Sequence, residues 1–85
     1  MEKEAEFLTK IVEEIVDNPG DVKVAHEVDK QGVKLTLSVA KDDMGKIIGS
    51  KGSTADALRT ILRSYGGKHN SRVALIIEDP EQDNQ

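Results

Sequence analysis

Phe7, Leu8, Ile11, Val12, Ile15 and Val16 recur at steps of one and three residues, with Glu4, Glu6 and Glu13 among the residues left to water. That spacing is one face of an amphipathic helix and predicts a helix over residues 2–17. Acids near its start suit the positive end of a helix dipole, and Asn18-Pro19-Gly20 supplies a stop. The period then falls to two. Val22, Val24 and Val28 alternate with Lys23, Ala25 and Glu27 as a short strand, and Asp29-Lys30-Gln31-Gly32 reads as a hairpin turn. Val33, Leu35, Leu37 and Val39 alternate with Lys34, Thr36 and Ser38 in the cleanest strand of the chain.

Helical spacing returns after Lys41-Asp42-Asp43, with Met44, Ile47 and Ile48 directed inward from a helix of one or two turns. A glycine-bounded turn at 49–52 separates it from a longer helix carrying Ala55, Leu58, Ile61, Leu62 and Tyr65 on one side and Arg59 and Arg63 on another. Gly66-Gly67 is expected to end that helix in a left-handed conformation. Residues 68–71 read as a polar loop, and Arg72 to Ile77 is nearly continuous in apolar residues, as in a strand covered on much of both faces. The predicted order is α-β-β-α-α-β, an α+β fold. Two helices connect the strands at 33–39 and 72–77, so these should lie parallel, beside the antiparallel hairpin. The expectation is a three-stranded mixed sheet with three helices on one face, spanning residues 1–78, followed by a disordered acidic tail at 79–85.

Composition narrows the possibilities. The 85 residues allow one small domain with a single core. Without cysteine, neither a disulfide nor a thiolate metal site can staple it. His26 is placed on the hairpin surface and His69 in the polar loop, with no second ligand spaced to help either, so no metal is expected. The charged start and the lack of a long apolar run predict neither a secretory signal nor a membrane span, hence a cytoplasmic protein. The net charge of −4 is unevenly spread. Residues 41–72 hold seven Lys/Arg against three Asp/Glu, whereas residues 1–40 hold five against nine and residues 73–85 none against four. The positive charge sits on the glycine turn and the helix that follows, and screening over about 8 Å lets that local excess act on a ligand.

The chemistry concentrates in Gly45-Lys46-Ile47-Ile48-Gly49-Ser50-Lys51-Gly52, followed at once by Ser53-Thr54-Ala55-Asp56. Gly49 and Gly52 permit positive φ and close approach of a ligand backbone. Ser53 or Thr54 is expected to cap the next helix, with Asp56 completing a capping box. The remaining amides and the positive end of the helix dipole then favour a phosphate. Lys46 and Lys51 add point charges, Arg59 or Arg63 is positioned to reach the same strand, and Ile47 and Ile48 offer an apolar floor for bases. Asp56 stands three residues before Arg59, so the arginines also read as a solvated, internally paired face. Gly45 and Gly52 have a purely structural reading as well, in helix ends and tight packing. The spacing fits neither a P-loop nor a dinucleotide fingerprint, and no nucleophile–base pair is present, so no enzyme, cofactor or small-molecule substrate is expected.

The element order, with Gly-x-x-Gly between the middle helices, resembles a type II KH domain. The run from Gly45 to Leu62 resembles the signature of the small bacterial one-domain KH proteins of the KhpA type, and the likeness covers nearly all of residues 1–78. It implies binding of single-stranded RNA, about four nucleotides per loop, in a chaperone or post-transcriptional regulatory role. It also implies self-association, or pairing with a larger KH-containing protein. The RNA-binding set carried over is Gly45, Lys46, Ile47, Ile48, Gly49, Ser50, Lys51, Gly52, Ser53, Thr54, Arg59 and Arg63. Ser50 and Ser53 depart from the family pattern, where basic residues are common, which argues for weaker binding. The only aromatics, Phe7 and Tyr65, fall in helical core stripes, so base stacking is scarce and sequence preference modest. Two rival readings are a dimerisation module, using Ala74 and Ile76 on the less covered sheet face, and a KH-like ribosome-assembly factor.

Overall fold

In the computed structural model, which describes residues 3–78, the alternating strand becomes the centre of the sheet. β2 (Gly32–Ser38) pairs antiparallel with β1 (Lys23–Asp29) and parallel with β3 (Val73–Ile77), giving the order β1-β2-β3. The register sets Leu35 between His26 and Leu75, and Leu37 between Val24 and Ile77. Side chains alternate across a strand, so these residues share one face with Val33. Leu35 and Leu37 are wholly buried there.

Three helices cover that face: α1 (Lys3–Glu13), α2 (Met44–Ile48) and α3 (Ser53–Lys68). Leu8 and Val12 of α1, Ile47 of α2, and Leu58 and Leu62 of α3 close on the sheet to form one core. The observed order is the predicted α-β-β-α-α-β, with the two crossover-linked strands parallel. Residues 79–85, the expected acidic tail, lie outside the described residues, as do Met1 and Glu2.

Four expectations change. The helix predicted to residue 17 ends at Glu13, and Val16 reaches the core from a turn in which the Ile15 and Val16 amides donate to Val12 O at 2.9 and 3.1 Å. The next amides, of Asp17 and Asn18, donate to the Asp43 side chain instead of continuing the helix. At the far end, α3 runs through Gly66-Gly67 to Lys68, and Asn70, at φ 55°, makes the left-handed turn. Gly66 has a packing role: a Cβ there would collide with the Ser71 carbonyl and stand 3.1 Å from Val73 Cγ2, so the bare backbone lets β3 return close beneath the helix. β3 is covered on one face only, with Leu75 buried and Ala74 and Ile76 exposed, because the helices form a single layer. His26, expected at the hairpin surface, falls in step with Val24 on the helix-facing side and is half-buried.

Candidate nucleic-acid interface

α2 is a single turn that ends where the Gly49 amide donates to Gly45 O at 2.9 Å. The chain then makes a sharp bend. Gly49 sits at φ 72°, ψ −175°, Lys51 at φ 55°, ψ 31°, and Gly52 at φ 80°, ψ 12°. The two loop glycines serve different ends. A Cβ on Gly49 would collide with the Thr54 hydroxyl and stand 2.8 Å from Thr54 N, so this glycine seats the loop against the first turn of α3. A Cβ on Gly52 would meet nothing within 4 Å, so its outer side is open to a ligand.

Gly52 is also the N-cap of α3, and no side chain bonds the amides of the first turn. The expected cap by Ser53 or Thr54, and the capping box with Asp56, are therefore not formed. Ser53 already has helical angles, φ −65° and ψ −40°, so it stands one residue too late to cap. Thr54 packs on Gly49. The Ser53 amide donates to Ser50 O within the bend, and the 16-residue helix, without a side-chain cap, directs its positive pole at an open glycine bend. That arrangement favours a phosphate.

The other proposed residues divide around this bend. Ser50, Lys51 and Ser53 are exposed on it. Ile48 is 42% exposed, whereas Ile47 is wholly buried, so of the two only Ile48 has surface to offer a base. Gly45 is exposed with open space around it. Lys46 is engaged within the chain, its Nζ 3.1 Å from Asp17 Oδ2 at the end of the α1 segment. The hydrogen bond to Asp17, and then its charge, hold the Lys46 ammonium pKa above the usual value. Arg59 lies 3.7 Å from Asp56 Oδ1, the pairing that the sequence left open. Arg63 makes no ion pair among the described residues. At 100° per residue it points to the opposite side of α3 from Thr54, roughly 16 Å along the axis from Gly52. The arrangement brings Lys51 to the bend and leaves Arg63 apart from it.

Asp43, which the sequence reading left out of any site, proves to organise this region. Among the described residues it is the only buried polar or charged one, at 1% exposure. Its Oδ1 accepts from the Asp17 amide at 3.1 Å, and its Oδ2 accepts from the Asn18 amide and Asn18 Nδ2 at 3.0 and 3.1 Å. Burial pushes the carboxyl pKa up, but those donors and the Lys46 charge outweigh it and hold the group below its ordinary 3.8. The signal was a second acid, next to Asp42 at the head of a one-turn helix, that the dipole alone did not need.

The aromatic residues gather elsewhere. Phe7 stacks on Tyr65 with ring centroids 4.8 Å apart, and His69 tilts against Tyr65 at 4.4 Å, which ties α1 to the end of α3. Among the described residues no His, Cys, Asp and Glu cluster has the makings of a metal site. No described helix is long and apolar enough to cross a membrane.

A mixed three-stranded sheet under one helical layer, with a Gly-x-x-Gly bend feeding the bare N-terminus of its longest helix, defines a KH domain. The chain matches the family model described as the KhpA/KhpB KH domain over residues 5–77, and it belongs to that family. It is similar to proteins named RNA-binding protein KhpA from several bacteria. The Streptomyces coelicolor protein is 46% identical over 74 residues, covering 87% of this chain and 92% of the relative. The Chlamydia pneumoniae protein is 43% identical over 72 residues, covering 85% and 92%. The Listeria monocytogenes protein is 38% identical over 72 residues, covering 85% and 95%. The names of these relatives give RNA as their ligand, and the family to which this chain belongs is one of KH domains.

Proposed function

We propose that this protein binds single-stranded RNA in the cytoplasm, holding the phosphates on the Gly49–Gly52 bend and the first amides of α3. We read its role as an RNA chaperone or post-transcriptional regulator. The observation that carries the reading is the α3 N-terminus without a side-chain cap, opening onto a glycine with free space around it. Lys51 supplies charge and Ile48 the apolar surface for a base, and the relatives' names agree with the ligand class. The test is a variant carrying Ser50→Asp and Gly52→Asp, which adds two negative charges at exposed or open positions and spares Gly49, whose replacement would disturb Thr54. A gel shift with a labelled oligoribonucleotide should show affinity falling at least about tenfold, while the strain of a side chain at φ 80° lowers the melting temperature by several degrees and leaves the protein folded at the assay temperature. Equal retention of RNA would refute the reading.

A second element of the proposal is self-association through β3, either as a homodimer or with a larger KH-containing protein. β3 is an edge strand with Ala74 and Ile76 exposed. Arg72 O and Glu78 N–H are turned to β2, so alternation turns the N–H and C=O groups of Val73, Leu75 and Ile77 to the outer edge. Such an edge is a template for another strand.

A further inference from the structure

Lys46 is the one proposed phosphate ligand of the loop segment whose charge is already taken. Its partner, Asp17, is not a loose surface acid. The Asp17 amide and the Asn18 amide are both fixed to the buried Asp43, which itself stands at the head of α2, three residues before Lys46. The Asp17 carboxylate is therefore presented to Lys46 at 3.1 Å from a backbone anchored through two amides to Asp43. On the single turn of α2, Lys46 and Ile48 leave on opposite flanks of the buried Ile47, about 200° apart by helical spacing. The pair accordingly turns the ammonium towards the α1 end and away from the flank that bears Ile48.

We propose that Asp17 acts as an internal stand-in for a backbone phosphate, occupying Lys46 in the unliganded protein so that RNA must displace a carboxylate to recruit this lysine. This rests on the reading of the Gly49–Gly52 bend as the RNA site and adds the device that sets its affinity. The chemistry of exchange is favourable to a tunable grip. Both partners are substantially exposed, 44% for the Lys46 side chain and 74% for that of Asp17, so the pair is weak and reversible. Lysine carries its charge on a flexible four-carbon stem, which suits it to moving between two oxygen partners. A carboxylate and a phosphate oxygen are equivalent acceptors for it. Asp17 thus lowers affinity for any sequence alike, since it competes for a backbone contact that carries no sequence information.

The test uses the full chain and a fluorescently labelled oligouridylate, followed by anisotropy over a series of salt concentrations. Asp17→Asn keeps the shape and removes the competing charge. Affinity should rise about two- to five-fold. The slope of log affinity against log salt should steepen by about 0.7, the increment for one more phosphate contact on a single strand. The gain should vanish when Asp17→Asn is placed in a Lys46→Ala background. Glu13→Gln, which removes one acid from the exposed side of α1, should leave affinity and slope close to those of the unaltered chain. Unchanged or weaker binding by Asp17→Asn overturns the proposal, and so does a gain that persists without Lys46 or that Glu13→Gln reproduces. Failure of the underlying reading looks different: the unaltered chain would then bind no oligouridylate, or would bind it equally with Ser50→Asp and Gly52→Asp in place.

Discussion

Lys51 holds the least favourable backbone angles in the interface, a non-glycine residue at φ 55° between two residues of the glycine bend. A left-handed conformation costs an L-residue about 1–2 kcal/mol, so glycine would be easier there, although its looser unfolded chain takes back roughly half of that gain. Lys51→Gly should therefore melt no lower than the unaltered protein and bind an oligoribonucleotide about two- to five-fold more weakly, because only the charge is lost. Thermal melts beside an RNA titration check it. A variant that melts higher and binds equally would remove Lys51 from the site. At this scale the sequence was legible where the chemistry is local and opaque where it depends on a neighbour. The Gly-x-x-Gly spacing announced the bend, yet nothing in it distinguished Gly49, pressed on Thr54, from Gly52, open to solvent. Ile47 and Ile48 are equal in the sequence and opposite in burial. Ser53 had the right side chain for a cap and the wrong place, one residue inside the helix.

Between elements, the decisive connection is the buried carboxylate of Asp43, which joins the end of the α1 segment to the start of α2. Both segments lead to the interface, so its loss is felt as misplacement as well as lost stability. Asp43→Ala leaves the Asp17 and Asn18 amides without their acceptor and should lower the melting temperature by at least about 5 °C at neutral pH. The acid limb gives a sharper signature. The folded-state pKa of Asp43 lies below its ordinary 3.8, so its contribution is fully present above that value and is lost as pH falls through the lower, folded-state value. The melting temperatures of the unaltered protein and of Asp43→Asn should therefore differ most above about pH 4 and converge in stronger acid. Parallel curves down to the lowest pH would mean that Asp43 carries no such linkage. The same long-range contact explains why element ends were harder to read than element centres. The 3.6-residue stripe of Leu8 and Val12 and the alternation of Leu35 and Leu37 are local and came out as expected. The early end of α1 depends on a residue 26 positions away. The late end of α3 depends on Ser71 and Val73 returning against Gly66, which the Gly66-Gly67 pair itself suggested as a stop.

For the molecule as a whole, the order of elements and the parallel crossover followed from short-range patterns. Three helices on one face left Ala74 and Ile76 on the less covered one, although the apolar run by itself read as a strand covered on much of both faces. That exposure carries the remaining prediction. The segment Arg72-Val73-Ala74-Leu75-Ile76-Ile77-Glu78 has opposite charges at its two ends and only apolar residues between them. Two copies laid antiparallel about Leu75 place Val73 opposite Ile77, whose backbone groups both face the outer edge, and bring Arg72 opposite Glu78 at both ends. The arrangement is self-complementary, as a twofold interface requires, and it extends the sheet to six strands while pairing Ala74 with Ile76 on the open face. Opposite charges across such a pair each add roughly 0.2–1 kcal/mol and like charges subtract a similar amount. Arg72→Glu should accordingly weaken the dimer about tenfold or more in sedimentation equilibrium, because the change acts twice. Arg72→Glu combined with Glu78→Arg should restore it, because the swapped pair is again complementary. Recovery in the double variant discriminates when set beside Arg72→Glu combined with Glu13→Lys, which restores the same net charge away from β3 and should stay weakly associated, since a register is restored only by pairing. Equal association of all four proteins would mean that copies of this chain meet on another surface, and the open face of Ala74 and Ile76 would then have no role in self-association.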